Sequence, residues 1–370
     1  MPVVEVALRS VLAGGALLVV LVTVVSAVKT VVVPRAIRAR LSAFVFVTVR
    51  RGFERVGRRQ TDYYVRDGTM ALFAPISLLM LPLTWLVVTF VSYAAVYWSI
   101  SPGRGVGSAV AISGSYLFTL GTDPAGQLLG KIAGYSEAGF GLGLLALLIT
   151  FLPSMYTAFS RREVLVALME VRAGTPPSAV VMLARYQTIG WMDRLDDLWR
   201  PWEQWFVEVE ESHTSYGALS FFRSPHPEHS WVTAAGCVLD AAALTASTLD
   251  LGGRQPDAEL CVRSGFVSLR RLADFFALPY DPDPAPTDPI SVTREEFDDA
   301  CARLAEAGVP LKPDRDQCWA DFTGWRVNYD TVLLRLAALV FAPVAPWSSD
   351  RSPAFASPPI FHLGRPRRRR

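Results

Sequence analysis

The chain has 370 residues, of which 51% are hydrophobic and 19% are charged, and its mean hydropathy is +0.29. This composition excludes an ordinary soluble protein for the whole chain, and the apolar excess lies before Arg161. The formal net charge of +2 lacks the basic excess typical of nucleic-acid binding, so no nucleic-acid partner is expected. The sequence predicts a membrane protein with a soluble C-terminal region.

The first apolar segment runs from Val11 to Val33 and contains one charge, Lys29. It predicts a first membrane span within residues 1–33. A signal peptide cleaved near Val25-Ser26-Ala27 is the alternative interpretation. The span is favoured because the apolar run exceeds the usual signal-peptide core of about 7 to 15 residues, and because only Arg9 precedes it as a basic residue.

Residues 34–71 predict a basic linker in the cytosol. From Pro34 to Met70 there are nine arginines and three acidic residues, which the positive-inside rule places in the cytoplasm. Within this linker, Leu41 to Val49 is apolar but too short to span a bilayer. It is expected to lie along the inner leaflet with its flanking arginines at anionic lipid headgroups, or to act only as a passive anchor.

Two further spans are predicted, at Leu72 to Ile100 and at Ala138 to Phe159, and neither contains a charged residue. The first of them ends in tyrosine and tryptophan residues suited to the outer membrane interface. The loop from Ser101 to Glu137 carries only two basic residues and is expected outside. Three spans place the N-terminus outside and the C-terminus in the cytosol, in the plasma membrane.

Between these spans, Val106 to Leu120 is apolar and helix-compatible but has only about 15 of the roughly 20 residues that a spanning helix needs. It is expected to enter the membrane and turn back at Thr119, Leu120 and Gly121. Backbone that leaves helical geometry in a membrane survives where protein buries it or where it lines water, and its carbonyl oxygens are then available to ions. An ordinary external turn is the alternative.

The sequence Thr119-Leu120-Gly121-Thr122-Asp123 resembles the Thr-Val-Gly-Tyr-Gly filter of the potassium-channel superfamily, and the likeness covers roughly Leu72 to Arg162. The resemblance implies a pore domain, residues 72–162, with an outer helix, a pore helix, a filter and an inner helix. It also implies permeant cations such as K⁺ or Na⁺ on the filter carbonyls and no other cofactor or metal. Thr122 in place of Tyr and Asp123 in place of Gly predict relaxed potassium selectivity, with a ring of charge at Asp123. Since one loop per chain cannot enclose an axis, a homotetramer is expected.

The third predicted span begins with Gly139, Gly141 and Gly143 and contains Pro153. The glycines lie near its outer end and are expected to pack closely behind the filter. Pro153 is the better candidate for a kink that could serve gating.

Residues 163–342 predict an all-helical cytosolic region, and residues 343–370 predict a disordered basic tail. A stripe at helical spacing is expected to pack against other helices or to lie on lipid, and it comprises Trp199, Trp202, Trp205 or Phe206, and Val209. Thr293 and Glu296 have capping-box spacing, and Gly308 is expected to end the helix that they begin.

This region contains few candidates for chemistry. His226, Glu228 and His229 could suggest a metal site and His213 an acid or base, but packed or solvated side chains are the expected roles. Four widely spaced cysteines are expected to be reduced and partly buried, namely Cys237, Cys261, Cys301 and Cys318. Since no nucleotide-binding, nucleophile or zinc motif occurs, an enzyme is not expected.

The sequence therefore predicts an all-α membrane protein with three spans, one re-entrant loop and a helical cytosolic region, acting as a cation channel. Nothing in it indicates the gating ligand or cytosolic partner. The alternative is a non-conducting, membrane-anchored signalling or scaffolding protein whose cytosolic helices bind a partner.

Overall fold

The computed structural model describes residues 3–31, 40–57, 63–101, 103–121 and 128–351, which form thirteen α-helices and no β-sheet. The helices are α1 (Val3–Val31), α2 (Arg40–Gly57), α3 (Tyr63–Ala71), α4 (Phe73–Ile100), α5 (Val106–Leu117), α6 (Leu128–Ala173), α7 (Ala179–Thr188), α8 (Asp196–Ser215), α9 (Trp231–Thr248), α10 (Pro256–Phe275), α11 (Arg294–Glu306), α12 (Arg315–Arg326) and α13 (Asp330–Val340). The prediction of an all-helical chain is confirmed for these residues.

The chain divides into two compact units. The first unit comprises residues 1–61 and 72–156, and the second comprises residues 62–71 and 157–370. Helix α3 therefore belongs to the second unit and not to one linker with residues 34–61. Helix α6 is shared, since the division falls between Tyr156 and Thr157, shortly before Arg162, where the pore domain was predicted to end.

Four helical segments in the described part of the chain are long and apolar enough to cross a membrane, and they are α1, α4 with the end of α3, α6 and α9. The first three expose most of their apolar surface, which indicates a membrane-embedded protein. Helix α9 differs, because 94% of it is buried by other helices of the second unit. A helix that is apolar on all sides lies in a protein core or in lipid, and protein surrounds α9.

Two of the predicted membrane segments have different bounds in the structure. Helix α6 begins at Leu128 and not at Ala138, so part of the loop predicted at Ser101–Glu137 is helical and Glu137 lies inside a long helix. Helix α2 extends to Gly57, well beyond the predicted apolar stretch at Leu41–Val49. Its apolar residues Val45 and Leu41 pack with Trp85 of α4, so α2 is covered by protein on that face.

Helix α9 is the centre of the second unit and contacts α7, α10, α12 and α13. It begins where the Ser230 hydroxyl accepts a hydrogen bond from the backbone N–H of Val232 at 3.3 Å. Alanine and glycine fill much of the helix and allow close approach, since a Cβ on Gly236 would lie 2.9 Å from Leu333 of α13. The tryptophan stripe of α8 is buried in the same core, which confirms helix packing as its role.

Several helix boundaries in the second unit follow the sequence signals closely. Thr293 and Glu296 form the predicted capping box at the start of α11, and Gly308 follows its end with φ +80°. Gly190, whose φ of +70° is left-handed, follows the end of α7 at Thr188, and α12 and α13 are separated between Arg326 and Asp330.

A buried ion network joins three parts of the second unit. The Arg326 guanidinium donates to Asp240 of α9, to Asp330 of α13 at 2.9 Å and to the carbonyl oxygen of Trp347. The Tyr329 hydroxyl donates to Asp240 at 2.8 Å. The Arg326 side chain is fully buried, so these contacts replace its hydration.

The prediction of a disordered tail from residue 343 is wrong for residues 343–351. Residues 343–351 pack on the second unit, and Ala345 and Ser348 are each only 1% exposed. Residues 352–370, with the terminal arginines, lie outside the described part of the chain.

Candidate functional site

Helix α5 is the shortest apolar helix of the first unit. Its 12 residues extend about 18 Å at 1.5 Å per residue, whereas a bilayer core is about 30 Å thick. Helix α5 packs against α4, and its apolar residues Ala109 and Ile112 are buried against Tyr93 and Tyr97. Helix α5 is therefore much shorter than α4, the helix against which it packs.

The backbone leaves helical geometry where the sequence predicted it. Thr119 has φ +56° and Gly121 has φ +67°. The Thr119 N–H donates to the carbonyl oxygen of Tyr116 at 3.0 Å, and the Leu120 N–H donates to that of Ser115 at 2.8 Å. This bonding pattern is a Schellman motif, in which the left-handed position is usually glycine and a β-branched residue such as threonine is strained.

The structure describes three of the five predicted filter residues. Thr119, Leu120 and Gly121 are consecutive and exposed at the end of α5, and Leu120 is 65% exposed. Thr122 and Asp123 lie outside the described residues. The site is thus a turn whose backbone and side chains are accessible in a single chain.

The predicted glycines of α6 have unequal surroundings. A Cβ on Gly141 would lie 2.5 Å from the carbonyl oxygen of Leu117, the last residue of α5. A Cβ on Gly139 or on Gly143 would meet no atom within 4 Å. Gly141 alone of the three therefore lies against the end of α5.

A further glycine of α6, Gly134, also lies closely against α5, although the sequence did not single it out. A Cβ on Gly134 would lie 2.4 Å from the ring of Tyr116 in α5. Gly134 and Gly141 are seven residues apart, which places them on one face of α6. That spacing is the sequence signal that could have identified the pair.

Pro153 lies within α6, and the helix continues beyond it to Ala173. Proline has no N–H, so the carbonyl oxygen of Ile149 loses its usual helical partner there. A role for Pro153 in gating remains a prediction.

A polar side chain that the sequence did not predict as part of the site lies beside α5. Glu137 of α6 is fully buried, its Oε1 lies 2.6 Å from the Ser113 hydroxyl of α5, and its Oε2 lies 2.9 Å from the Tyr97 hydroxyl of α4. The Ser113 hydroxyl also lies 2.9 Å from the carbonyl oxygen of Phe90 in α4. The signal for this site was an ionisable residue within an apolar helix, which commonly has a function.

The second unit holds the C-terminal end of α6 through Arg162. This side chain is buried and donates to the carbonyl oxygens of Leu219 at 2.8 Å and of Phe222 at 2.9 Å. It also donates to Nε2 of His213 at 3.1 Å, while Glu163 pairs with its other side. Because the guanidinium only donates, His213 must be neutral with its proton on Nδ1, next to the Ser212 hydroxyl at 3.0 Å.

His213 should make stability depend on pH in the acidic range. Burial and the adjacent Arg162 charge lower the pKa of His213 well below its ordinary value of about 6.5. The unfolded chain then binds the proton more tightly, so stability is complete above about pH 6.5 and is lost as pH falls below it, by at most about 1.4 kcal/mol per pH unit. The expected result is a thermal unfolding midpoint that falls between pH 7 and pH 5 in wild-type protein and falls less in His213→Gln.

His226→Gln is the matched control for that experiment, because His226 is exposed. It should retain the wild-type slope. An unchanged slope in His213→Gln would contradict the assignment.

The histidines and cysteines singled out in the sequence lie in the second unit. The rings of His226 and His229 have centroids 5.2 Å apart, and Nε2 of His229 lies 3.4 Å from the Glu170 carboxylate. No group of three His, Cys, Asp or Glu residues with metal-binding geometry occurs among the described residues. All four cysteines form no disulfide, and they are fully buried rather than partly buried as predicted.

The geometry defines an all-helical protein with long apolar helices typical of membrane-embedded chains and one short apolar helix that ends in a left-handed turn. Comparison of the chain with protein-family models, with curated proteins and with solved structures finds no match.

Proposed function

We propose that this chain forms a homotetrameric channel that conducts monovalent cations. The observation that carries the proposal is the end of α5, where a helix too short to span stops at a left-handed turn formed by Thr119, Leu120 and Gly121. In the chain, this turn lies between the long apolar helices α4 and α6, and Gly141 of α6 packs against the carbonyl oxygen of Leu117, the last residue of α5. Non-helical backbone at that depth requires protein burial or a water-filled path.

In this proposal α1, α4 and α6 cross the plasma membrane, and α5 with the following turn forms a re-entrant loop. The arginine-rich segment before α4 is cytosolic, so the N-terminus is outside and the C-terminus is inside. Membrane lipids surround the exposed apolar faces. Four copies place four turns around one axis, since one turn cannot form a ring.

The backbone carbonyls of Thr119, Leu120 and Gly121 bind K⁺ or Na⁺ in this channel, and carboxylates of Asp123 attract cations at the entrance. Thr122 and Asp123 stand where the resembling family has tyrosine and glycine. Selectivity for potassium over sodium is therefore weaker than a complete Thr-Val-Gly-Tyr-Gly filter gives, while anions are excluded.

Gly121→Ala should reduce the cation current of the purified protein reconstituted in planar bilayers. No atom within 4 Å would obstruct the new Cβ, but the φ of +67° costs an L-residue about 1–2 kcal/mol, so the turn changes conformation. Reversal potentials under bi-ionic potassium and sodium conditions measure selectivity in the same recordings. The expected wild-type result is a cation current with modest preference for potassium.

Gly107→Ala provides the control, because Gly107 lies in α5 with no atom within 4 Å of a new Cβ and no left-handed backbone. It should conduct like wild-type protein. An anion-selective current, or a Gly121→Ala current equal to that of wild-type, would contradict the proposed filter.

A non-conducting scaffold is the second candidate, and a cleft in the second unit favours it. The cleft has a volume of about 510 Å³ and is lined by the N-terminus of α7 and by charged residues that include Glu296, Asp299, Arg303 and Arg351. Such a cleft could bind a charged partner. Absence of any current from a correctly folded oligomer would favour this candidate.

A further inference from the structure

Glu137 connects three helices of the first unit. Its carboxyl group belongs to α6, its two oxygens meet hydroxyls of α5 and α4, and it is completely buried. Over the described residues, no basic side chain lies within ion-pair distance of it. An ionised carboxylate buried without a cation would cost several kcal/mol.

The hydrogens around Glu137 can be counted. The Ser113 hydroxyl has one hydrogen but lies within hydrogen-bond distance of two acceptors, Oε1 of Glu137 at 2.6 Å and the Phe90 carbonyl oxygen at 2.9 Å. If Glu137 were ionised, one of these oxygen pairs would have no hydrogen between its atoms and would repel. If Glu137 carries a proton on Oε1, that proton is donated to Ser113, Ser113 donates to Phe90, and Tyr97 donates to Oε2.

Only the protonated acid places a hydrogen in each of the three close oxygen pairs, Glu137–Ser113, Ser113–Phe90 and Tyr97–Glu137. We infer that Glu137 is a neutral carboxylic acid that fastens α5 between α4 and α6, and that it is a positioning residue for the turn at Thr119. The titratable groups that face it are tyrosines: Tyr97 and Tyr93 on α4, with Tyr116 of α5 stacked on Tyr97 at 6.2 Å. Of these, the Tyr97 hydroxyl donates to Glu137, and no tyrosine side chain can supply a compensating positive charge.

The position of this contact explains its effect on the turn. Ser113 precedes Leu117 by four residues on α5, and Glu137 precedes Gly141 by four residues on α6. The pair Ser113–Glu137 and the pair Leu117–Gly141 are thus two contacts one helical turn apart, which fix how far α5 is displaced along α6. Thr119 follows directly and takes its position from them.

The protonation state is testable without any current. In wild-type protein at neutral pH, an infrared spectrum should contain the carbonyl band of a protonated carboxyl group, and Glu137→Gln should lose it. Glu5→Gln is the control, because Glu5 is partly exposed and ion-paired to Arg9, and it should retain the band. A band that persists unchanged in Glu137→Gln would overturn the inference.

The positioning role is tested by comparing two variants of equal size. The amide of Glu137→Gln can donate to Ser113 and accept from Tyr97, so its thermal unfolding midpoint should lie within about 2–4 °C of wild-type. Glu137→Leu lacks both bonds and should unfold at a clearly lower temperature. Equal loss in both variants would contradict a neutral acid at this position.

Selectivity gives the third readout, and this part alone rests on the proposed function. Glu137→Gln should keep the wild-type bi-ionic reversal potential, and Glu137→Leu should shift it toward zero. If wild-type protein conducts nothing while the infrared band still depends on Glu137, the proposed function fails and the neutral acid stands. If wild-type protein conducts and Glu137→Leu leaves its reversal potential unchanged, the positioning role is wrong.

Discussion

In the proposed channel, Gly141→Ala is expected to lower the cation current by about tenfold or more. The new Cβ would lie 2.5 Å from the carbonyl oxygen of Leu117, and a backbone atom cannot rotate away as a side chain can. Either α6 or the end of α5 must move, at a cost of about 1–3 kcal/mol for an overpacked contact. The displaced carbonyl is two residues before Thr119, so the turn moves with it. Conductance per unit of reconstituted protein measures the effect.

Gly143→Ala is the matched control for this variant. It adds the same methyl group to the same helix two residues further on, but no atom lies within 4 Å of the new Cβ. Alanine is also the better helix former by about 1 kcal/mol, so the control should fold at least as well as wild-type. A Gly141→Ala current equal to the Gly143→Ala current would show that the contact with α5 does not control the pore.

Arg326→Ala should have the largest effect on stability in the second unit. Removing the guanidinium leaves Asp240 and Asp330 without their cation and the carbonyl oxygen of Trp347 without this donor. Breaking one partner of a buried ion pair typically costs about 3–5 kcal/mol, because the remaining charge stays desolvated. Chemical denaturation of the full-length protein in detergent, followed by tryptophan fluorescence, should show this loss in the free energy of unfolding.

Arg303→Ala serves as the comparison. Arg303 is about half exposed, and its contact with Asp299 is 3.9 Å long, so its removal should change the free energy of unfolding by less than about 0.5 kcal/mol. A similar small change in Arg326→Ala would mean that water or neighbouring side chains replace the network.

The fold could be predicted wherever the signal is local. Long uncharged segments mark α1, α4 and α6, and the side-chain caps at Ser230 and Thr293 place two helix starts, because each depends on residues within a few positions. Contacts between residues far apart in the chain have no comparable local pattern in the sequence. Arg326 meets Asp240 across 86 positions, and neither residue differs locally from an exposed charge.

The candidate site was predictable to a similar extent. The short length of α5 and the glycine at position 121 indicated a helix that stops and a left-handed backbone. The sequence could not rank Gly139, Gly141 and Gly143, since only the approach of α5 distinguishes them. The sequence predicts a loop at Glu137 because the uncharged segment typical of a span begins only at Ala138. Helix α6 itself begins at Leu128, so it includes Glu137.

Helix α6 also limits how this chain can change in length during evolution. It contacts α5 at two points, at Glu137 against Ser113 and at Gly141 against Leu117, and the helix between them is continuous. Each inserted or deleted residue would rotate one contact point about 100° around the helix axis relative to the other and shift it by 1.5 Å. Substitutions between Glu137 and Gly141 preserve this phase, whereas a single-residue insertion destroys it. Related chains should therefore vary in loop length but keep a constant number of residues in this part of α6.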